Sequence, residues 1–356
     1  MKLKLFLILL ISFLYSSIFS QREDPLVKQS QGIFKVKTRD EMAKNEAKLT
    51  GKGKAAFEKA KNDFKNIKDA KFEIAPNEQL NQDPAELLGI PRSEKPDFKL
   101  AEQQNNENKK NQAEIKAKLK ALGVDATALD FTGQTFVSSP GNCTWKTAIC
   151  TPVKNQHSCG SCWAFAACAA FEHAYTKFKG IKLDLSEQDL ISCGKTCGGK
   201  DCGSCNGGWP EQAFDCMKCK GITEEAMFPY TGTNSSCKIL PKGAYAMTWG
   251  QLYPGRFPTV DEIKYFINSF GAVVSTMTAG VSTFMGYGGG VYNGFPSTEV
   301  FEVDHAVLIV GWCDSLNAWI IKNSWGTNWG PYGGYAYVGY NQCNIGKFVH
   351  WVFPRI

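Results

Sequence analysis

The sequence predicts an α+β fold of two lobes with a cleft between them, and three patterns predict it. Residues 162–178 are apolar on nearly every face at helical spacing, with Phe171, Ala174, Tyr175 and Phe178 continuing the period, which marks a central buried helix. From Ala272 onward the texture changes to short β-type runs at Val273–Thr278, Ala306–Trp312, Ala318–Lys322 and Gly334–Tyr340, separated by Gly, Asn and Pro, which read as antiparallel strands. All 14 cysteines lie between Cys143 and Cys343, so the 356 residues divide into a cysteine-free front and a cysteine-rich body. A helical half and a β half leave a cleft where they meet, a usual place for an active site.

The front begins with a secretory signal over residues 1–20. Lys2 and Lys4 precede an apolar run from Leu5 to Phe19, and Ser16, Ser17 and Ser20 offer small residues for cleavage. The run is shorter than the ~20 residues that span a bilayer, so removal is expected rather than anchoring. The oxidising route this implies makes disulfides the default use of the cysteines. Residues 21–138 are rich in Lys, Glu, Asn, Gln and Ala, with helical stretches at Arg39–Ala70 and Ala101–Leu122 and breaks at Pro76, Pro84, Pro91 and Pro96. With few large apolar residues this segment cannot build its own core. It is either a solvated tail or a propeptide laid along the cleft, and the propeptide is the expectation. The boundary should fall near Phe136–Gly141, leaving residues 139–356 as the body.

In the body Gly180 stops the central helix, Ser186-Glu187-Gln188-Asp189 starts a short second one, and Thr259-Val260-Asp261-Glu262 opens a third. The net charge of +6 sits almost wholly in the front, because from Ser139 onward 16 Lys and Arg face 15 Asp and Glu. No basic stripe marks the body as a nucleic-acid binder. Asn142-Cys143-Thr144 and Asn234-Ser235-Ser236 are glycosylation sequons, in keeping with export.

Three strings carry chemistry. Gln156-His157-Ser158-Cys159-Gly160-Ser161-Cys162-Trp163 places a thiol at the start of the buried helix with an amide six residues before it. Val303-Asp304-His305-Ala306 supplies an imidazole, and Asn323-Ser324-Trp325 a second amide. A cysteine titrates near ~8.5 and needs help to attack a carbonyl; a helix N-terminus and a neighbouring imidazolium both supply it. Cys162, His305 and Asn323 are thus the parts of a thiol acyl-transfer site. Two other readings remain open on these residues. Cys159-Gly160-Ser161-Cys162 has the spacing of a dithiol oxidoreductase, although Cys202-Gly203-Ser204-Cys205 repeats it without a comparable helix behind. A non-catalytic binding protein on the same fold is the third, and the intact set of side chains argues against it.

These strings resemble those of the papain and cathepsin cysteine peptidases. The resemblance implies a helical left lobe, a right lobe like an antiparallel β-barrel, and a secreted or lysosomal zymogen. It makes Cys162 the nucleophile, His305 its acid and base, Asn323 the residue orienting the ring, Trp325 an indole shield over that pair, and Gln156 with the Cys162 backbone N–H the oxyanion donors. It also implies that Gly207, Gly208 and Trp209 wall the substrate strand, that Val303 with Asp304 and Phe348 line the pocket for the second residue before the scissile bond, and that Cys159–Cys205 and Cys193–Cys237 are bridges. His157 stands where the family usually has Gly. The helix pattern of cathepsin L leaders is not recognisable here. No insertion lies between Gln156 and Cys159, and no His-bearing loop follows Cys193, so an endopeptidase is expected. Cys343 is expected to pair with Cys313 and Cys168 to stay an unpaired core residue. Zinc at Cys202, Cys205, Cys216 and Cys219 is disfavoured, and no cofactor or metal is expected. The expected partners are protein and peptide substrates and the chain's own leader as an inhibitor, with the body a monomer in a lysosome, a digestive vacuole or the extracellular space.

Overall fold

The computed structural model describes residues 37–91, 95–123, 143–145, 147–252, 256–297 and 302–356. The expected signal, the leader boundary and the Asn142 sequon lie outside the described residues. Among these, no helix is long and apolar enough to cross a membrane.

The leader is ordered against the body rather than around a core of its own. It runs through α1 (Arg39–Ala43), α2 (Gly51–Lys65), β1 (Phe72–Ile74), α3 (Pro84–Leu87), α4 (Phe98–Lys110) and α5 (Gln112–Ala121). The expected Arg39–Ala70 helix is therefore broken, at the Leu49–Thr50 turn, where Thr50 Oγ1 accepts the Gly53 N–H and caps α2. α4 and α5 meet at Asn111.

In the body, β2 (Cys143–Trp145) leads to α6 (Cys162–Lys179), the buried helix foreseen from its sequence, which ends at Gly180 in the left-handed region (φ 70°). Ser186 Oγ accepts the Asp189 N–H and caps α7 (Glu187–Cys193). The hairpin β3 (Gly203–Ser204) and β4 (Gly207–Gly208) precedes α8 (Pro210–Cys219), which carries Pro at its first position, where the missing N–H costs nothing. After β5 (Ala246–Gln251) comes α9 (Val260–Phe270), where Thr259 and Glu262 form the full capping box. Then follow β6 (Val273–Met277), α10 (Ser282–Met285), β7 (Tyr287–Tyr292), β8 (His305–Cys313), β9 (Ala318–Lys322), β10 (Tyr335–Gly339) and β11 (Val349–Pro354).

The large sheet runs β1-β7-β10-β9-β8-β6-β11-β5, with β2 also paired to β8. Its pairings are antiparallel except β7 with β10, which is parallel, a departure from the expected all-antiparallel lobe. The leader supplies one edge strand itself: Phe72 pairs with Gly290, and its ring meets that of Tyr292 at a tilt with centroids 4.5 Å apart. The helices α6, α7 and α8 form the other lobe. Glu172 of α6 accepts from Leu185 N and Thr151 Oγ1, and Lys322 at the end of β9 donates to the same Thr151 hydroxyl, so a buried polar cluster ties the helix to the strand that leads into Asn323.

Disulfides join Cys143–Cys313, Cys159–Cys205, Cys193–Cys237, Cys197–Cys219 and Cys202–Cys216. Cys150, Cys162, Cys168 and Cys343 are outside the disulfides and buried. The expected Cys313–Cys343 bridge is absent, because β2 pairs with β8 in a register that sets Cys143 directly opposite Cys313. Cys343 lies instead in a turn at φ 53° with its sulfur toward the Phe295 carbonyl. The four cysteines weighed for zinc are all spent in disulfides.

Candidate active site

Cys162 is the first residue of α6 and is wholly buried, with the N–H groups of Ala306, Gly89 and Trp163 directed at its sulfur. Because Cys159 is bridged to Cys205, the Cys-x-x-Cys pair is no dithiol, and the oxidoreductase reading loses its second thiol. His305 opens β8, and Ala306, the next residue, brings that strand to the sulfur. His305 Nε2 lies 2.8 Å from Asn323 Oδ1. An amide oxygen can only accept, so Nε2 carries the proton and Nδ1 is left as the acceptor nitrogen, with no hydrogen-bond partner. The Trp325 ring covers the imidazole with centroids 4.8 Å apart.

Gln156 is fixed from both ends. Ser324 Oγ donates to its Oε1 at 2.6 Å, and Tyr230 Oη donates to its backbone carbonyl at 2.7 Å. Nε2 is thereby turned into the cleft, where it donates to the carbonyls of Leu87 and Cys159 at 2.8 Å each. Ser324 and Tyr230 were not legible in advance, since a serine next to Asn323 and a tyrosine in a loop carry no local signature. His157 is exposed at φ 49°, which accounts for a glycine being comfortable at that position.

The cleft itself is filled by the leader. Leu87-Leu88-Gly89-Ile90-Pro91 is an apolar run in a polar segment, a signal that could have been noticed. Gly208 N donates to the Gly89 carbonyl at 2.9 Å, and Ile90 N donates to the Asp304 carbonyl at 3.1 Å. Gly207 faces Pro91, and Gln79 Nε2 donates to the Trp325 carbonyl at 2.8 Å. The Asp304 carboxylate accepts from the Ala279 and Gly280 N–H groups. Phe348 is buried between Trp209, Phe257 and the leader's Phe98, with centroids 5.9 to 6.4 Å away. Val303, next to Asp304 in the chain, is buried.

Burial sets the charge state of the pair in the covered site. It pushes the Cys162 thiol up to about 12 and the His305 imidazole down from 6.5 to about 4, against the opposing pull of Asn323. Covered, the pair is neutral thiol and neutral imidazole across the physiological range. A base held below its ordinary value binds a proton only once it is uncovered. Between about pH 6.5 and 4, acidification therefore favours lifting of residues 87–91, by up to ~10-fold per pH unit, while above pH 6.5 His305 exerts no pull. Glu211, raised to about 7 by burial, opposes this only if α4 lifts as well, since Asp97 N of the α4 cap donates to it at 2.9 Å. Amide hydrogen exchange of residues 87–90 in the Cys162→Ala protein, corrected for the intrinsic pH dependence, should rise from pH 6.5 to 4.5; a flat profile refutes the assignment.

Comparisons with known proteins identify the family. Residues 139–353 match the model of the papain family cysteine proteases. A cysteine protease of Blomia tropicalis is 37% identical over 225 residues, which is 60% of this chain and 66% of that protein's own length. A solved structure from work on antibody cross-reactivity between the mite allergens Blo t 1 and Der p 1 aligns with a TM-score of 0.66 at 26% identity, over 87% of this chain and 94% of its own. Digestive procathepsin L2 from the larval midgut of Tenebrio molitor aligns with a TM-score of 0.65 over 87% of this chain and 93% of its own, at 23% identity, a likeness of fold. The α+β two-lobe fold is thus shared with papain-like proteins, and the chain belongs to the papain family of cysteine proteases.

Proposed function

We propose that this protein is a cysteine endopeptidase made as a zymogen, with Cys162 as nucleophile, His305 as the general acid and base, Asn323 as the ring-orienting residue and Gln156 as an oxyanion donor. The observation that carries this reading is the tautomer lock: Asn323 Oδ1 holds the Nε2 proton of His305 and leaves Nδ1 to take the thiol proton. In the uncovered site the sulfur attacks the scissile carbonyl, its proton passes to Nδ1, and the imidazolium returns that proton to the leaving amine. Water then hydrolyses the thioester with His305 as base. The developing oxyanion is received by Gln156 Nε2, already aimed into the cleft, and by the Cys162 N–H at the start of α6.

Gly207 and Gly208 pair with a substrate strand as Gly208 now pairs with Gly89, and Trp209, Val303, Asp304 and Phe348 bound an apolar pocket beside it. Residues 21–138 act as propeptide and inhibitor, residues 1–20 as signal, and the body works as a monomer in the secretory route, in a vacuole or outside the cell. The leader occupies the oxyanion donor with the Leu87 carbonyl and lays the Gly89 backbone against the nucleophile.

The test is hydrolysis of a panel of fluorogenic peptides by the purified precursor at mildly acidic pH with a thiol reductant. Activity that appears as the leader is shed supports the reading, and no hydrolysis by a folded, reduced, leader-free body rejects it. In the active protein Gln156→Ala should lower kcat by about 10²- to 10³-fold with a smaller change in KM, the loss expected for one oxyanion donor. An unchanged kcat would remove Gln156 from that role.

A further inference from the structure

The leader holds the body in several places: β1 pairs with β7, residues 87–91 lie in the cleft, and a further contact lies beyond them. Beyond Pro91 the chain reaches α4 and α5, which lie on the far edge of the sheet. β5 is that edge: among the described residues its strand partner is β11, and the Leu252 N–H bonded to the Val349 carbonyl sets the alternation that turns the carbonyls of Trp249 and Gln251 outward. Those two carbonyls are capped by leader amides. Asn108 Nδ2 donates to Trp249 O and Asn105 Nδ2 to Gln251 O, each at 2.7 Å. Positions three apart on a helix rise ~4.5 Å and alternate strand positions ~6.6 Å, a mismatch the asparagine side chains span.

The remainder of the contact is equally specific. Gln104 Nε2 donates to Thr248 Oγ1 at 3.1 Å and to Asn108 Oδ1 at 2.9 Å, and the Thr248 hydroxyl donates to Asn108 Oδ1. Lys218 of α8 donates to Gln104 Oε1 at 2.8 Å and pairs with Glu107 at 2.6 Å. Asp97 N donates to the buried Glu211 carboxylate, while Asp97 Oδ1 caps α4 by accepting the Leu100 N–H. Gln104 and Asn108 are 4% and 1% exposed, so these amides are as buried as core residues. An uncovered sheet edge is a template for pairing with another chain, and α4 closes it with side chains instead of a strand.

We propose that α4 and α5 form a separate docking module that stays bound to the β5 edge after the chain is cut on either side of it, so that the processed protein consists of two chains. The cleft segment is held by a few hydrogen bonds and by the burial of Leu87 and Ile90, and must leave for substrate to enter. The β5 module touches none of Gln156, Cys162, His305 or Asn323 through the hydrogen bonds that hold it, and nothing in catalysis requires its departure. Retained, it keeps Phe98 against Phe348 and leaves part of the apolar pocket wall to the leader. The inference rests on the reading of residues 21–138 as a cleaved leader.

The experiment is independent of the chain's own hydrolysis. The full-length Cys162→Ala protein receives recognition sites for a sequence-specific protease after Ser93 and after Thr132. It is cut, passed over a size-exclusion column at micromolar concentration, and each peak is weighed by mass spectrometry. Co-elution of the 94–132 fragment with the body is expected. A fragment in a later peak overturns the proposal, whether the body left behind is monomeric or self-associated. Asn105→Ala with Asn108→Ala should weaken retention at least tenfold. Lys218→Met, made on the body so that the leader is unaltered, should weaken it in the same direction. Retention unchanged in both would sink the edge-capping account.

Discussion

Replacing Cys162 by alanine should lower peptide hydrolysis by at least about 10⁴-fold, the scale seen when the nucleophile is removed and only binding and oxyanion donors remain. No other thiol can take over. Cys150, Cys168 and Cys343 are buried, and burial raises each of their pKa values, to about 11 for Cys150 and about 12 for Cys343. Cys168 is on the same helix, six residues further into the core. The measurement is kcat/KM of the leader-free body on the best peptide of the panel, beside the alanine variant processed by an added protease. Residual activity above about 1% of the parent would show that the hydrolysis arises elsewhere, because it is a loss of under ~3 kcal/mol where nucleophile removal demands more.

Gly89→Ala should have the second largest effect, on the precursor rather than on the enzyme. A Cβ at Gly89 would overlap the Gly160 carbonyl oxygen and stand 3.1 Å from Cys162 Sγ. Gly160 cannot retreat, since its N–H is bonded to the Cys205 carbonyl at 2.9 Å and its neighbour Cys159 is bridged to Cys205. The cleft segment must lift instead, giving up the Gly208–Gly89 and Ile90–Asp304 hydrogen bonds. Alkylation of Cys162 in the intact precursor should then accelerate about 100-fold or more, a shift of ~2.7 kcal/mol in the covered-to-open equilibrium. Thermal unfolding of the body should change little, because α2, β1 and α4 keep their own contacts. Alkylation as slow as in the parent would mean that residues 87–91 do not guard the sulfur.

The site was legible where its signals are local. A thiol at the start of an all-apolar helix, His305 at the head of a β run and Asn323 next to Trp325 can each be read from a few neighbours, and the structure sets His305 against Asn323 and Trp325. The α6 boundaries and the Thr259 capping box were readable for the same reason, since caps act over three residues. What depends on distant pairing was not. β5 and β11 are strands because they pair with each other, and β5 contains Gly250, whose absent side chain admits the Trp351 ring. The partner of Cys313 is fixed by the β2–β8 register across 170 residues, which no spacing rule anticipates. The leader's helices were seen, but the two amides that cap the sheet edge look like ordinary solvated asparagines until β5 is placed beneath them.

The four cysteines outside the disulfides have a practical consequence. Every one is buried in the covered protein, so the folded precursor should be silent to a chromogenic thiol reagent. When the cleft segment departs, one sulfur of the four meets solvent while the other three stay inside the core. The stoichiometry of rapidly reacting thiol per chain, rising from zero toward one, is therefore a built-in clock for activation that needs no substrate and can be followed by absorbance.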